Sequence, residues 1–193
     1  MNVCTISEPV GTIAANSHAN IVALQPQKKG AISSLSSIAA EIREQLDEAW
    51  LPFVYREHIL QKRTRAYHLE LPAKQASVEV QYTLLGVELK IGRRRVMCPD
   101  LATARYLSVF ARAGIPNFAV PYDISQISRL ADELEFAWHR MLLLIDHLAT
   151  NRGAAFRTRL RRTLIAAVRE EIVQAGAGAD RPHFNQNTKQ RRD

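Results

Sequence analysis

The stretch Ser77–Gly114, "SVEVQYTLLGVELKIGRRRVMCPDLATARYLSVFARAG", changes its apolar period partway along, and that change decides the fold class. Val78, Val80, Tyr82 and Leu84 alternate with Glu79, Gln81 and Thr83, the period of two that a half-buried strand requires. After Leu84-Leu85-Gly86 the phase shifts by one residue to Val87, Leu89 and Ile91, so a tight turn or a bulge sits at the glycine. Gly92-Arg93 marks a second turn, into "RRVMC". From Pro99-Asp100 onward the spacing becomes helical. Asp100 is placed to cap, Leu101, Tyr106, Leu107 and Phe110 form the apolar face, and Gly114 stops the last turn. Strands joined by short turns pair antiparallel, and a helix following them makes the chain α+β.

Upstream, Ile38, Ile42, Leu46 and Trp50 recur every four residues behind Ser36 or Ser37, the pattern of a capped amphipathic helix. Pro52 bends it, and a second helical piece is expected from Phe53 to about Arg63. In "AYHLELP", Tyr67, Leu69 and Leu71 alternate with His68 and Glu70, which predicts a further strand. Downstream, Phe118 to about Pro121 reads as a short strand. A long helix then carries Ile127, Leu130, Leu134, Trp138, Met141 and Ile145, and a last one Phe156, Leu160, Leu164, Val168 and Ile172. Joined by "TNRG", these two should fold as an antiparallel hairpin over one sheet face, with Leu134, Trp138, Met141, Leu160 and Leu164 inside. The expected fold is thus a small antiparallel sheet of three to five short strands, a bent N-terminal helix and a C-terminal helical hairpin. Residues 36–175 form one domain in this reading. Residues 1–35 and the basic 176–193, polar and aperiodic, are expected as disordered tails.

A chain of 193 residues with 47% hydrophobic content can build one real core. Its longest apolar cluster, Met141–Ile145, is far too short for a membrane span, and no basic-then-apolar leader opens the sequence. Cys4 and Cys98 make neither a disulfide framework nor a four-ligand zinc site, so a cytoplasmic location is expected. A net charge of +7 favours anionic partners: nucleic acid, anionic lipid or an acidic protein. Phosphate-cradling loops, dinucleotide glycine patterns and nucleophile elbows are missing, and the sequence implies no cofactor and no metal centre.

Glu88-x-Lys90 would place a carboxylate and an ammonium on one face of a strand, opposite Val87, Leu89 and Ile91. Such a pair can hold a divalent metal and polarise a phosphodiester. With these residues, Val78–Val120 loosely resembles the core of PD-(D/E)xK nucleases, which order an acidic residue on one strand, (D/E)-x-K on the next, then a helix and a strand. The resemblance implies Glu79 and Glu88 as ligands of a magnesium ion and Lys90 as electrophilic support in a metal-dependent nuclease. Glu79 stands where that family usually has Asp, Pro99-Asp100 follows the Glu-x-Lys instead of preceding it, and "RRVMC" intervenes before the helix. Alternatively, these residues are the solvated face of an amphipathic hairpin with a Glu79–Lys90 cross-strand pair. Glu135 and His139, one helical turn apart, read as a surface pair.

Arginine density is the other signal. Arg93, Arg94 and Arg95 fall at a hairpin tip, while Arg157, Arg159, Arg161 and Arg162 open the last helix with no acid between them. Guanidinium groups match phosphates bidentately, and hairpins and helices are shapes that grooves accept. Few aromatic residues interleave with them, which argues against a base-stacking platform. The leading expectation is a non-enzymatic basic module that meets nucleic acid or another anionic partner through these clusters. Beside the nuclease stands a third reading, a scaffold whose helical hairpin is an interface to an acidic protein or to a second copy of the chain.

Overall fold

The computed structural model describes residues 34–74 and 76–178. The expected tails therefore lie outside the described residues, apart from positions 34, 35 and 176–178. Ser34 has an extended backbone, and its hydroxyl accepts from Ser37 N at 3.2 Å, so the first helix, α1 (Leu35–Leu46), starts just ahead of the expected serines. Ile38, Ile42 and Leu46 are buried along one face. A 3-10 turn, Asp47–Ala49, leads to α2 (Leu51–Val54), where Pro52 occupies the first turn, a place that needs no N–H from it. The helix then widens into a π-turn, Tyr55–Ile59, and ends earlier than expected because the chain must reach β1 (Thr64–His68).

The strands among the described residues number five, as the sequence allows, but they form two sheets. β2 (Val78–Thr83), β3 (Gly86–Ile91) and β4 (Arg94–Cys98) make a three-stranded antiparallel meander. Gly86, with φ of 126°, ends a two-residue turn at Leu84-Leu85, which resolves the phase shift as a turn. β1 does not join the meander. It pairs with β5 (Asn117–Pro121), from Thr64 opposite Pro121 to His68 opposite Asn117. Between them in sequence lies α3 (Leu101–Ala113), capped by the Asp100 carboxylate at 2.6 Å from Thr103 N and closed by left-handed Gly114.

α3 covers the meander through β2 and β3. The C-terminal helices, α4 (Ile127–Leu148) and α5 (Ala154–Ala175), were expected on a sheet face, yet they pack mainly against α1, α2 and α3. Leu134, Trp138, Met141, Leu160 and Leu164 are buried as expected. That burial is internal, so the hairpin's apolar stripe is consumed by the chain's own core. Helix-to-helix ion pairs fix the arrangement. Arg43 and the Trp50 indole both donate to Glu171, at 2.5 and 2.9 Å. Arg105 donates to Glu135 at 2.5 Å and lies 2.7 Å from Asp132. Glu135 therefore serves α3 and does not form the expected pair with His139.

At the centre, Phe110 and Phe118 stack with ring centroids 4.0 Å apart, and Tyr55 and Tyr106 pack around Phe110. A strand in a two-stranded sheet has backbone groups its neighbour cannot take, and buried ones must find partners. Those of Ala119 go to tyrosines: its N–H donates to Tyr55 Oη at 2.9 Å, and its carbonyl accepts from Tyr106 Oη at 2.7 Å. Tyr55 in turn donates to Gly176 O at 2.7 Å, which ties the end of α5 to the core. Burial raises the Tyr55 hydroxyl to about 12, against a smaller opposing effect from Ala119 N–H. Burial also pushes Tyr106 well above the ordinary phenol range.

Candidate anion-binding surface

The outer face of the meander carries the three nuclease candidates. Glu79 sits opposite Lys90, and Gln81 opposite Glu88, so the two carboxylates are diagonal neighbours on one face. Each faces a cation. Lys90 Nζ lies 3.7 Å from Glu79 Oε2, which also accepts from Gln81 Nε2 at 2.9 Å. Glu88 Oε2 is 3.6 Å from Arg95 Nη1, too long for a hydrogen bond, and this buried oxygen has no hydrogen-bond partner. Glu88 was expected on a solvated face. It is on that face but only 8% exposed, because β3 is the central strand and neighbours on β2 and β4 flank it. Among the described residues, no three of His, Cys, Asp and Glu come together in a way that could hold a metal.

The arginine triplet separates once it is folded. Arg93 occupies the β3–β4 turn, exposed and without an acidic partner among the described residues. Arg95 turns to Glu88, whereas Arg94 forms an ion pair with Glu70. Adjacent strand residues point to opposite faces, so three arginines in a row cannot act as one patch. On α5, Arg157, Arg159, Arg161 and Arg162 are all exposed. Arg161 lies 3.7 Å from Asp146. No acid pairs with the other three among the described residues.

Tertiary structure brings together a group that the sequence leaves scattered. A cleft of about 800 Å3 opens between the β1–β2 connection, the start of β4, the end of α3 and the middle of α5. Lys74, Arg94, Arg112 and Arg169 line it, one from each of these elements, and Glu70 is the one acid among the described lining residues. Arg169 is held in place by α3: its Nε and Nη2 donate to Ala113 O at 3.2 and 3.0 Å. A cation there also complements the negative end of the helix dipole. Gly114 makes this approach possible, since a Cβ at that position would stand 2.5 Å from Arg169 Nη2, and φ of 71° already favours glycine.

Arg94 alone among the sequence candidates lies in this cleft. Arg112 and Arg169 escaped the sequence reading because neither belongs to a run of like charge. A faint signal existed for each. Arg112 falls in the last turn of a glycine-terminated helix, and Arg169 follows Arg162 by seven residues, two turns further along the same helical face. Arg162 and Arg169 fall on nearly the same face of α5, about 20° apart at 100° per residue, with Arg159 about 60° to one side of Arg162.

No helix among the described residues is long and apolar enough to cross a membrane. The chain matches no protein-family model, no curated protein and no solved structure.

Proposed function

We propose that the protein is a non-catalytic binding module for nucleic acid, gripping phosphates in the cleft and along α5. The observation that carries this reading is the gathering of Lys74, Arg94, Arg112 and Arg169 in one cleft whose described lining holds a single carboxylate. The Arg94–Glu70 pair is largely exposed, with side chains 49% and 74% accessible. Pairs of that kind contribute roughly 0–1 kcal/mol, so a phosphate can take the place of the carboxylate at little loss. With a rise of about 1.5 Å per residue, Arg162 and Arg169 stand on the order of 10 Å apart along the helix, a spacing suited to a polymer and not to one small anion. Contacts to phosphates position a nucleic acid without reading its bases, so the affinity is weakly sequence-specific and falls steeply with salt. Nothing in the meander's paired carboxylates favours a nuclease.

Fluorescence anisotropy with labelled duplex and single-stranded oligonucleotides across a salt series tests this. Lys74→Glu with Arg112→Glu should weaken binding at least about tenfold. The same variant should flatten the slope of log affinity against log salt by roughly one for each phosphate no longer neutralised. Arg159→Glu with Arg162→Glu should give a smaller loss of the same kind. Absence of binding at low salt, or unchanged binding by both variants, defeats the proposal.

A further inference from the structure

Six of the large apolar side chains that stand exposed gather at one end of the molecule: Tyr82, Leu84, Leu85, Met97, Leu101 and Ile124. Leu84 and Leu85 are the two residues of the β2–β3 turn, 106% and 84% exposed. Two-residue hairpin turns draw on Gly, Asn and Asp, which satisfy the backbone and tolerate water. Leucines there gain no burial from their own chain, and an exposed cluster of this kind marks an interaction site.

Beside the turn lies an apolar pocket of about 170 Å3, walled by Tyr67, Met97, Leu107, Val120 and Ile127. Protrusion and pocket are continuous. Met97 lines the pocket, and its Cε is 3.8 Å from the place a Cβ on Gly86 would occupy. At the tip of the turn, nothing among the described residues donates to the carbonyls of Leu84 and Leu85.

We propose that this end is a self-association surface, in which the Leu84-Leu85 turn of one copy enters the pocket of a second. A cavity of about 150 Å3 accommodates a benzene-sized group, so a leucine side chain suits this one. Protrusion and pocket share one end, so a two-fold axis places each turn on the other copy's pocket and closes the assembly as a dimer. Tyr82 lies on the face of the meander opposite Met97, so the turn, Met97, Leu101 and Ile124 make the apolar contact, and their polar rim completes the roughly 800 Å2 that each partner gives to a standard interface. A lipid surface is the weaker match. Lys90 and Arg95 are matched on that face by Glu79 and Glu88, so it offers no excess positive charge to anionic headgroups. The surface is independent of the cationic cleft, since the β2–β3 and β3–β4 turns lie at opposite ends of the meander.

Sedimentation velocity on the full chain over a wide concentration range is the test. A concentration-dependent dimer is expected. Leu84→Asp with Leu85→Asp should raise its dissociation constant by about a hundredfold, roughly tenfold per leucine, and leave the melting temperature unchanged at concentrations where the native chain is monomeric. Met97→Glu, on the pocket rim, should also weaken it. A monomer at every concentration overturns the proposal, as does a dimer indifferent to both variants. A monomer that floats with phosphatidylserine vesicles, and loses them in the Leu84/Leu85 variant, reassigns the surface to lipid and equally overturns it.

Discussion

The two sheets of this protein are built on opposite principles. The meander β2–β3–β4 is local: each strand pairs with its sequence neighbour across a two-residue turn. One face lies on α3, and the other carries charge pairs and the half-exposed Met97. The β1–β5 pair joins segments separated by the whole meander and α3; β1 buries only Thr64, yet β5 runs through the core with Phe118, Ala119 and Val120 buried. Phe118 stacks on Phe110, and Ala119 is held at both backbone groups by tyrosines from two different helices. The contrast teaches that length and regularity do not measure a sheet's weight in the fold. Burial and non-local contact do. The local sheet is left free to display side chains, whereas the non-local one is committed to stability.

The largest test of this contrast is Phe118→Ala, which opens a cavity where strand and helix meet and should lower unfolding stability by about 3–5 kcal/mol in urea titrations. A loss below about 1 kcal/mol would show that the β1–β5 pair is peripheral. Next comes Tyr55→Phe, which leaves the Ala119 N–H and the Gly176 carbonyl without their partner and should remove about 1–3 kcal/mol. This tyrosine also gives the comparison a pH signature. Its folded value is raised to about 12 from the ordinary 10.0, so below pH 10.0 folded and unfolded states both hold the proton. Above that the unfolded state releases it first, and stability falls as pH rises from 10.0 toward about 12. Alkaline denaturation profiles should be shallower in Tyr55→Phe than in the native chain. The smallest effect belongs to the meander: Glu79→Gln removes a half-exposed cross-strand pair with Lys90 and should change stability by less than about 1 kcal/mol. A larger loss would give the local sheet a structural weight that the contrast denies it.

Much of the architecture can be read in local pattern. The strand over Val78–Thr83, the phase change at Gly86 and the Asp100 and Gly114 caps each rest on a handful of adjacent residues, and each holds in the structure, although Leu84 falls in the turn. Local pattern misleads where an element outruns its neighbours. Tyr82 alternates with core residues yet is 72% exposed, because β2 near its turn extends past the helix that covers the rest of the sheet. Leu101 belongs to the apolar face of α3 but sits at its first turn and stays partly exposed for a similar reason. Conversely, Glu88 follows the polar phase and is nonetheless buried, because a central strand is shielded by both its neighbours. Half of the candidate surface was visible as arginine runs. The cleft was not, since its four cations come from segments with nothing in common in sequence.

Element type, turn positions, helix caps and net charge belong to the sequence by itself, because backbone propensity, capping and periodicity act within one or two turns of chain. Three things were decided only by tertiary structure: the pairing of β1 with β5, the division of Arg93–Arg95 among a turn, Glu70 and Glu88, and the meeting of Arg94 with Lys74, Arg112 and Arg169. Each depends on side chains from distant segments competing for the same buried or cationic space, and packing alone settles that competition.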